Sequence, residues 1–280
     1  MAYQWLTFLA ALVVCAEVLA GEALPVPERE GFNCSADGSL WPYLVQQPAG
    51  EAAAILVYLH GHYGDQYQGM AEGTYNDAFG KLRRECLRRH WAYVSAYYGG
   101  NTWMSALADS GVADLLAILR QRWPRRPLYL CGGSMGGASA LIFAMRRPEA
   151  VDGVLALCPA GDIASYYAFV SASADPVLQN IAAAIRIHYT AGGHVLTDEL
   201  QARSAALDAD RLRMPVYLSH AAQDPVIPVA GVRKLAARLR ELDRPVRYVE
   251  LSEGGHDAPL LAVDWPSALD FISQPEADGG

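Results

Sequence analysis

Near the middle of the chain, two apolar runs flank a glycine-rich serine turn in the stretch PLYLCGGSMGGASALIFAM. The first run, residues 127–130, predicts a buried strand, and the second, residues 138–145, predicts a helix. Ser134 lies between them, with Gly132 and Gly136 two residues away on either side, where larger side chains would collide with the backbone of a sharp turn. The stretch therefore predicts a strand that turns abruptly into a helix and raises the serine hydroxyl above a sheet.

Such a turn also leaves backbone N–H groups free at the start of the helix, where they can stabilise a developing oxyanion. A turn that serves packing only, or one that cradles a phosphate, is the alternative interpretation of the same pattern. The predicted strand and helix on either side favour a reactive serine, because they place its hydroxyl where a substrate can reach it.

Strand and helix patterns alternate along the rest of the chain. Residues 32–45 hold two strand-like runs around an Asp-Gly turn, which predicts an antiparallel hairpin at a sheet edge. Five further strand patterns occur, at 53–59, 91–97, 153–158, 215–220 and 246–251, with helical patterns between them and a closing helix over 260–272. The sequence therefore predicts an α/β fold, a mostly parallel sheet flanked by helices, in a single domain over residues 21–280.

One connection is longer than the others. More than fifty residues separate the strand ending at Cys158 from the strand beginning at Val216, and they include apolar helical patterns at 166–169 and 177–187. An insertion of this kind, on the side to which strand carboxyl ends point, predicts a small helical cap over a site, at about 161–213. A surface insertion without a role at the site is the alternative.

The bulk properties exclude some functions. A formal net charge of −8 and the lack of a basic run argue against nucleic acid as a partner. The chain has no Cys-x-x-Cys motif, and the pair His60 and His62 lacks the spacing and the carboxylates of a metal site. We therefore predict neither a metal nor another cofactor.

The first twenty residues differ in composition from the rest. Residues 5–16 form an uncharged apolar run, and Val18-Leu19-Ala20 resembles a cleavage site. This run is too short to span a bilayer. We predict a signal peptide over residues 1–20 and a secreted or periplasmic protein with no stable membrane span, with an N-terminal anchor or a buried helix as the alternative.

Removal of that segment would leave an even number of cysteines in a compartment that permits disulfides. These cysteines are Cys34, Cys86, Cys131 and Cys158. Cys131 and Cys158 each end an apolar strand pattern, so buried thiols are as reasonable for them as a bridge. The sequence therefore favours a bridge between Cys34 and Cys86.

A serine nucleophile needs a base, and the base needs a carboxylate to orient it. Asp224 follows the strand at 215–220 and His256 follows the strand at 246–251, so both are predicted at strand carboxyl ends, the edge from which Ser134 emerges. Asp162, shortly after the strand at 153–158, is the alternative acid. Asp257 is adjacent to His256 and cannot easily reach its ring.

Five segments in order resemble those of the α/β-hydrolases, in the secreted esterase and prolyl-oligopeptidase-like group, over about residues 48–272. They are His60-Gly61-His62-Tyr63-Gly64, Gly99-Gly100-Asn101-Thr102-Trp103, Gly132 to Gly137, Gln223-Asp224-Pro225-Val226-Ile227-Pro228 and Gly254-Gly255-His256. The resemblance implies Ser134 as nucleophile, His256 as base, Asp224 as orienting acid, and the backbone N–H groups of Met135 and His62 as the oxyanion hole.

These residues predict a serine hydrolase that cleaves carboxylic esters through an acyl-enzyme intermediate. Its substrate would be a small-molecule or carbohydrate-linked ester, and Trp103 and Tyr166 are candidates to line the pocket, with core packing as their alternative role. We expect esters in preference to peptides, because the sequence holds no propeller-sized domain that would screen peptides. A prolyl-oligopeptidase-like peptidase and a non-catalytic scaffold of the same fold are the alternative functions.

Overall fold

The computed structural model of the chain describes residues 24–70 and 76–274, in which strands and helices alternate. The strands are β1 (Glu28–Asn33), β2 (Leu40–Gln46), β3 (Ala54–Leu59), β4 (Trp91–Ala96), β5 (Leu128–Gly133), β6 (Gly153–Leu157), β7 (Val216–Ala221) and β8 (Val246–Leu251). The α-helices are α1 (Asn76–Arg88), α2 (Ala106–Arg122), α3 (Met135–Arg146), α4 (Ile163–Ala172), α5 (Pro176–Tyr189), α6 (Leu196–Ala202), α7 (Ala230–Glu241), α8 (Ala258–Ala262) and α9 (Trp265–Ile272). The predicted strands are thus all present, most within one residue of their predicted bounds.

All eight strands form one sheet in the order β1-β2-β4-β3-β5-β6-β7-β8. β1 and β2 form the predicted antiparallel hairpin at the sheet edge, and β2 also pairs antiparallel with β4. The six strands from β3 to β8 run parallel to one another. The predicted fold class, a mostly parallel sheet with helices on its faces, is confirmed.

Alternate residues of each central strand enter two different cores. In β3, Ile55 and Val57 belong to the core packed by α2, α3 and α7, whereas Leu56 and Tyr58 belong to the core packed by α1 and α9. Burial on both faces explains why the strand patterns are continuously apolar. The parallel strands also bring the loops after β3, β5, β7 and β8 to one edge of the sheet.

The long connection between β6 and β7 holds α4, α5 and α6. These helices bury side chains such as Ile181 and Ile185 in the same core as α2 and α3. The predicted closing helix is divided into α8 and α9, because Asp264 caps a new helix by accepting a hydrogen bond from the Ser267 N–H.

The predicted disulfide between Cys34 and Cys86 is wrong. Cys34 packs in the core on one side of the sheet and Cys86 in the core on the other, so the sheet itself separates their sulfur atoms. All four cysteines within the described residues are buried free thiols. Burial in apolar surroundings raises the pKa of the Cys131 thiol well above its usual value.

The predicted signal peptide over residues 1–20 lies outside the described residues, so that segment and the predicted secretion stay predictions. Within the ranges 24–70 and 76–274, none of the helices combines the length and the apolar composition that a bilayer crossing requires.

Candidate active site

The turn between β5 and α3 has the steric requirements predicted from its glycines. A Cβ atom added at Gly132 would lie 2.4 Å from the carbonyl carbon of Gly136, and one added at Gly136 would lie 2.0 Å from the carbonyl oxygen of Leu59. Ser134 itself adopts φ 55° and ψ −124°, a conformation that a non-glycine residue rarely adopts. The strand thus turns sharply into the helix and presents Ser134 at the tip.

His256 lies in the loop after β8, two residues beyond Gly254, whose φ of +93° suits glycine. Its Nε2 atom is 2.8 Å from the Ser134 Oγ, and its Nδ1 atom is 2.7 Å from the Asp224 Oδ2. An ionised carboxylate only accepts hydrogen bonds, so the Nδ1–H donates to Asp224 and Nε2 accepts from the serine hydroxyl. The structure brings together three residues that lie far apart in the sequence.

Asp224 is buried and surrounded by donors. Its Oδ1 accepts from the backbone N–H groups of Val226 and Ile227, at 2.8 and 2.9 Å. Its Oδ2 lies 3.2 Å from the His220 Nε2 in addition to the His256 contact. Burial alone would raise the pKa of Asp224, but the hydrogen bonds from His220 and His256 outweigh it and hold that pKa well below its usual value. The carboxylate is therefore ionised at neutral pH.

Asp162, the alternative acid, is bound elsewhere. Its Oδ2 lies 2.7 Å from the Lys234 Nζ, and its Oδ1 accepts from the Ser204 hydroxyl and the Ser165 N–H. It has no hydrogen bond to His256. Asp162 thus caps α4 and joins it to α7, and of the two candidate acids it is Asp224 that contacts His256.

The two predicted oxyanion donors are free to bind a ligand. The Met135 N–H is the first of α3 and has no intrahelical acceptor. In the loop after β3, the Gly61 N–H donates to Gln68 and the Tyr63 N–H donates to Asn101, whereas the His62 N–H between them has no acceptor among the described residues. A Cβ atom added at Gly61 would lie 3.7 Å from the Gly133 carbonyl oxygen, so this loop borders the serine turn.

The two predicted pocket residues are both largely buried. Trp103 is fully buried, and its ring packs 5.3 Å from that of Tyr166, which is 4% exposed. Tyr166 also lines a cavity of about 270 Å³ together with Phe169, Ile227 and Pro228, beside the Asp224 loop. A larger hollow of about 770 Å³ lies next to Tyr63 and Gln68. Neither cavity is lined by Ser134, Asp224 or His256.

Two site residues escaped the sequence analysis. His220 is the penultimate residue of β7, four residues before Asp224, and contacts its carboxylate, a spacing that could have suggested the contact. Asn180 on α5 accepts a hydrogen bond from the His62 ring at 2.9 Å. Nothing in the sequence pairs residue 62 with residue 180, because that contact depends on how the helices between β6 and β7 fold back.

Comparisons with known proteins agree with this architecture. The family model described as serine aminopeptidase, S33, matches residues 99–213. No curated protein sequence matches the chain. Among solved structures, acylaminoacyl peptidase of Pyrococcus horikoshii is 14% identical with a TM-score of 0.63, and the match covers 93% of this chain and 41% of that one.

Two other solved structures resemble the chain. A thermostable esterase is 18% identical with a TM-score of 0.62, over 89% of this chain and 63% of its own. FphF, a fluorophosphonate-binding serine hydrolase of Staphylococcus aureus, is 13% identical with a TM-score of 0.66, over 89% of this chain and 100% of its own. The chain thus covers less than two thirds of the length of the acylaminoacyl peptidase and of the thermostable esterase. Its sheet order, its serine turn and these likenesses show that the chain has the α/β-hydrolase fold.

Proposed function

We propose that the chain is a serine hydrolase that cleaves carboxylic esters through an acyl-enzyme intermediate. The hydrogen-bonded series from Ser134 through His256 to Asp224, at 2.8 and 2.7 Å, is the observation that carries the proposal. Each residue is in the state that the chemistry needs: a half-buried serine hydroxyl at the tip of the turn, an imidazole that accepts from it, and an ionised carboxylate behind the imidazole.

In the first step, the Ser134 Oγ attacks the ester carbonyl carbon while its proton moves to the His256 Nε2. The tetrahedral intermediate collapses, its bond to the alkoxy oxygen breaks, and His256 returns the proton to the departing alcohol. A water molecule then attacks the acyl-serine carbonyl carbon and loses a proton to His256. The bond from that carbon to the Ser134 Oγ breaks, His256 returns the proton to Oγ, and the carboxylic acid leaves. Asp224 stabilises the imidazolium in both halves of the reaction without taking its proton.

The carbonyl oxygen becomes an oxyanion in both halves, and the unengaged N–H groups of Met135 and His62 are its proposed donors. Removing one such donor typically lowers kcat by about 100- to 1,000-fold in serine hydrolases. The N–H groups of Gly61 and Tyr63 are engaged by side chains, which leaves the His62 N–H as the donor that this loop offers.

The cavity beside the Asp224 loop favours an uncharged substrate. Tyr166, Phe169 and Ile227 contribute apolar surface to it. Its one carboxylate, Asp162, is already paired with Lys234 at 2.7 Å and offers no free negative charge for the ammonium group of a peptide. These features support an acyl ester as the substrate class and weigh against aminopeptidase activity.

Amide hydrolysis is the second candidate. The family model that matches residues 99–213 is named for a serine aminopeptidase, and one similar structure is an acylaminoacyl peptidase. The same triad could cleave amides if His256 protonates an amine leaving group efficiently.

Labelling with a fluorophosphonate probe tests the nucleophile. The unaltered chain should be labelled, and Ser134→Ala should lose both the label and the turnover of p-nitrophenyl esters. Ser110→Ala is the matched control, because the Ser110 hydroxyl binds only the Ala106 carbonyl one turn earlier. Labelling that survives in Ser134→Ala would refute the proposal.

A substrate panel separates the two activities. We expect p-nitrophenyl acyl esters and acetylated sugars to be hydrolysed with much higher kcat/KM than aminoacyl anilides. The panel should include several acyl chain lengths, because the cavity of about 270 Å³ sets a size limit. Anilide turnover that exceeds ester turnover would replace ester cleavage by the second candidate.

A further inference from the structure

Contacts of α5 converge on the loop that carries the proposed oxyanion donor. We propose that Asn180 and Trp103 are positioning residues for the oxyanion hole, which they hold in place by binding the two nitrogen atoms of the His62 ring. The inference rests on the proposed function, because it concerns the donor that would stabilise the tetrahedral intermediate.

The partners of the His62 ring fix its orientation. The Trp103 Nε1–H lies 3.3 Å from the His62 Nδ1, and an indole N–H can only donate, so Nδ1 must be the acceptor. In a neutral ring the proton then resides on Nε2, which donates to the Asn180 Oδ1 at 2.9 Å. Burial lowers the pKa of His62, which favours this neutral form. Together the two contacts permit one tautomer and one ring orientation.

Both contacts lead back to the same helix. Asn180 lies on α5, and Tyr189 at the other end of α5 donates its hydroxyl hydrogen to the Trp103 carbonyl at 2.7 Å. Arg203, just after α6, donates to the neighbouring Met104 carbonyl at 2.8 Å. Trp103 and Met104 both have positive φ, at 50° and 56°, so these external contacts hold a backbone that would otherwise relax.

A ring held at both nitrogen atoms restrains its own backbone. The flanking N–H groups of Gly61 and Tyr63 are bound to Gln68 and Asn101, so the peptide units on both sides of His62 are fixed as well. The His62 N–H is then preorganised toward the serine turn, which is the condition for strong stabilisation of an oxyanion. Loss of one ring contact should weaken stabilisation of the intermediate more than binding of the substrate.

Two variants test the ring contacts separately. Asn180→Ala removes the acceptor for Nε2, and Trp103→Phe removes the donor to Nδ1 while keeping an aromatic ring in the core. Arg186→Ala is the matched control on the same helix, because the Arg186 side chain is exposed and has no hydrogen bond or ion pair among the described residues. The assays are kcat and KM on a p-nitrophenyl ester and the inhibition constant of phenylboronic acid, which forms a tetrahedral adduct with serine.

We expect Asn180→Ala and Trp103→Phe each to lower kcat by about 3- to 10-fold, the effect of losing one hydrogen bond. KM should stay within about twofold, and the inhibition constant of the boronic acid should rise by the same factor as kcat falls. Arg186→Ala should leave all three values unchanged. Because Trp103 is fully buried, the folding of Trp103→Phe should be checked by circular dichroism. Asn180 is exposed, so Asn180→Ala tests the proposal with little risk to the fold.

A third variant gives a signature that a loosened fold cannot produce. In Asn180→Asp, a carboxylate accepts from Nε2 and favours the doubly protonated ring, whose Nδ1–H would then oppose the Trp103 Nε1–H. The groups facing His62 are Tyr63 and His60 on its own loop, Trp103 on the next loop, and residue 180 on α5; Asp65 lies further along the loop beside His60. Burial lowers the pKa of His60 to about 4, so His60 is neutral near pH 7.

Asn180→Asp should therefore approach the kcat of the unaltered chain at high pH and lose activity on an added acidic limb as pH falls. Asn180→Ala should lack this limb. Two results would overturn this inference and leave the proposed function standing. One is unchanged kcat and boronic-acid inhibition in both Asn180→Ala and Trp103→Phe. The other is identical pH profiles for Asn180→Ala and Asn180→Asp. If the unaltered chain has no Ser134-dependent turnover and does not bind the boronic acid, the proposed function fails and the inference falls with it.

Discussion

Replacing Asp224 by asparagine should abolish most activity while leaving the fold intact. Every group that contacts this carboxylate is a donor: two backbone N–H groups on Oδ1, and His220 and His256 on Oδ2. Asparagine keeps one oxygen, which best serves the two backbone N–H groups. Its NH₂ group then faces the two histidine rings and can only donate to them.

The consequence for His256 is a change of tautomer. To accept from the asparagine NH₂, Nδ1 must lose its proton, and the neutral ring then carries that proton on Nε2. A protonated Nε2 cannot accept the hydroxyl proton of Ser134, whose oxygen lies 2.8 Å away. Loss of the base in this way lowers kcat by about 10⁴-fold in serine hydrolases, equivalent to about 5 kcal/mol in the activation free energy.

The assay is kcat on a p-nitrophenyl ester together with the melting temperature. Asp162→Asn is the control, because it removes the other candidate acid, whose partners are Lys234 and Ser204. We expect it to lower the melting temperature and to leave kcat within about threefold, since Asp162 does not touch His256. A kcat for Asp224→Asn within tenfold of the unaltered chain would refute the assignment of the acid and the tautomer argument.

Three further predictions concern the serine turn and the loop beside it. Gly136→Ala should destabilise the fold by about 3 kcal/mol or more in urea unfolding, because its Cβ would lie 2.0 Å from the Leu59 carbonyl oxygen. Gly133→Ala is the control and should cost under about 1 kcal/mol, because no atom lies within 4 Å of its Cβ. Ser134→Gly should be inactive yet melt at a higher temperature than Ser134→Ala, since glycine relieves the strain of φ 55°. Burial lowers the pKa of His60 from 6.5 to about 4, so between these pH values the unfolded chain binds a proton at His60 that the folded chain does not. The free energy of unfolding should therefore fall as the pH drops from 6.5 to 4. In His60→Gln, the free energy of unfolding should fall by about 3 kcal/mol less between these two pH values than in the unaltered chain. The same fall in both proteins would contradict the prediction.

The sheet and the serine turn could be predicted because their signals are local. A strand buried on both faces must be apolar throughout, as residues 54–59 are, and a turn in which backbones nearly touch admits only glycine at positions such as Gly136. The helical connections between the central strands make those strands parallel. Strand carboxyl ends then fix which loops meet, which explains why Ser134, Asp224 and His256 could be predicted from three separate segments.

Sequence reasoning missed contacts between elements that are distant in the chain, because no local sequence pattern shows how such elements pack against each other. The disulfide prediction was wrong because counting cysteines says nothing about which face of the sheet each one occupies. Cys34 follows β1 and Cys86 lies in the last turn of α1, and the two pack in the cores on opposite faces of the sheet. The division of the closing helix depends on Asp264 acting as a cap, which an apolar periodicity over 260–272 does not reveal.

The role of Trp103 illustrates the same limit at the site. An aromatic residue in a glycine-rich loop before a helix could be a pocket wall or a packing residue, and its sequence neighbours are the same in either case. What distinguishes the alternatives is its polar atoms: the indole N–H meets His62 and the carbonyl meets Tyr189, contacts that span 41 and 86 residues of sequence. A residue whose ring is fully buried, and whose indole N–H and backbone carbonyl are both hydrogen-bonded, is poorly placed to adapt to a substrate but well placed to fix a neighbouring loop. Substitutions at Tyr166 and Phe169, which line the cavity, should therefore change which acyl chain is preferred. Trp103→Phe should alter kcat without changing that preference.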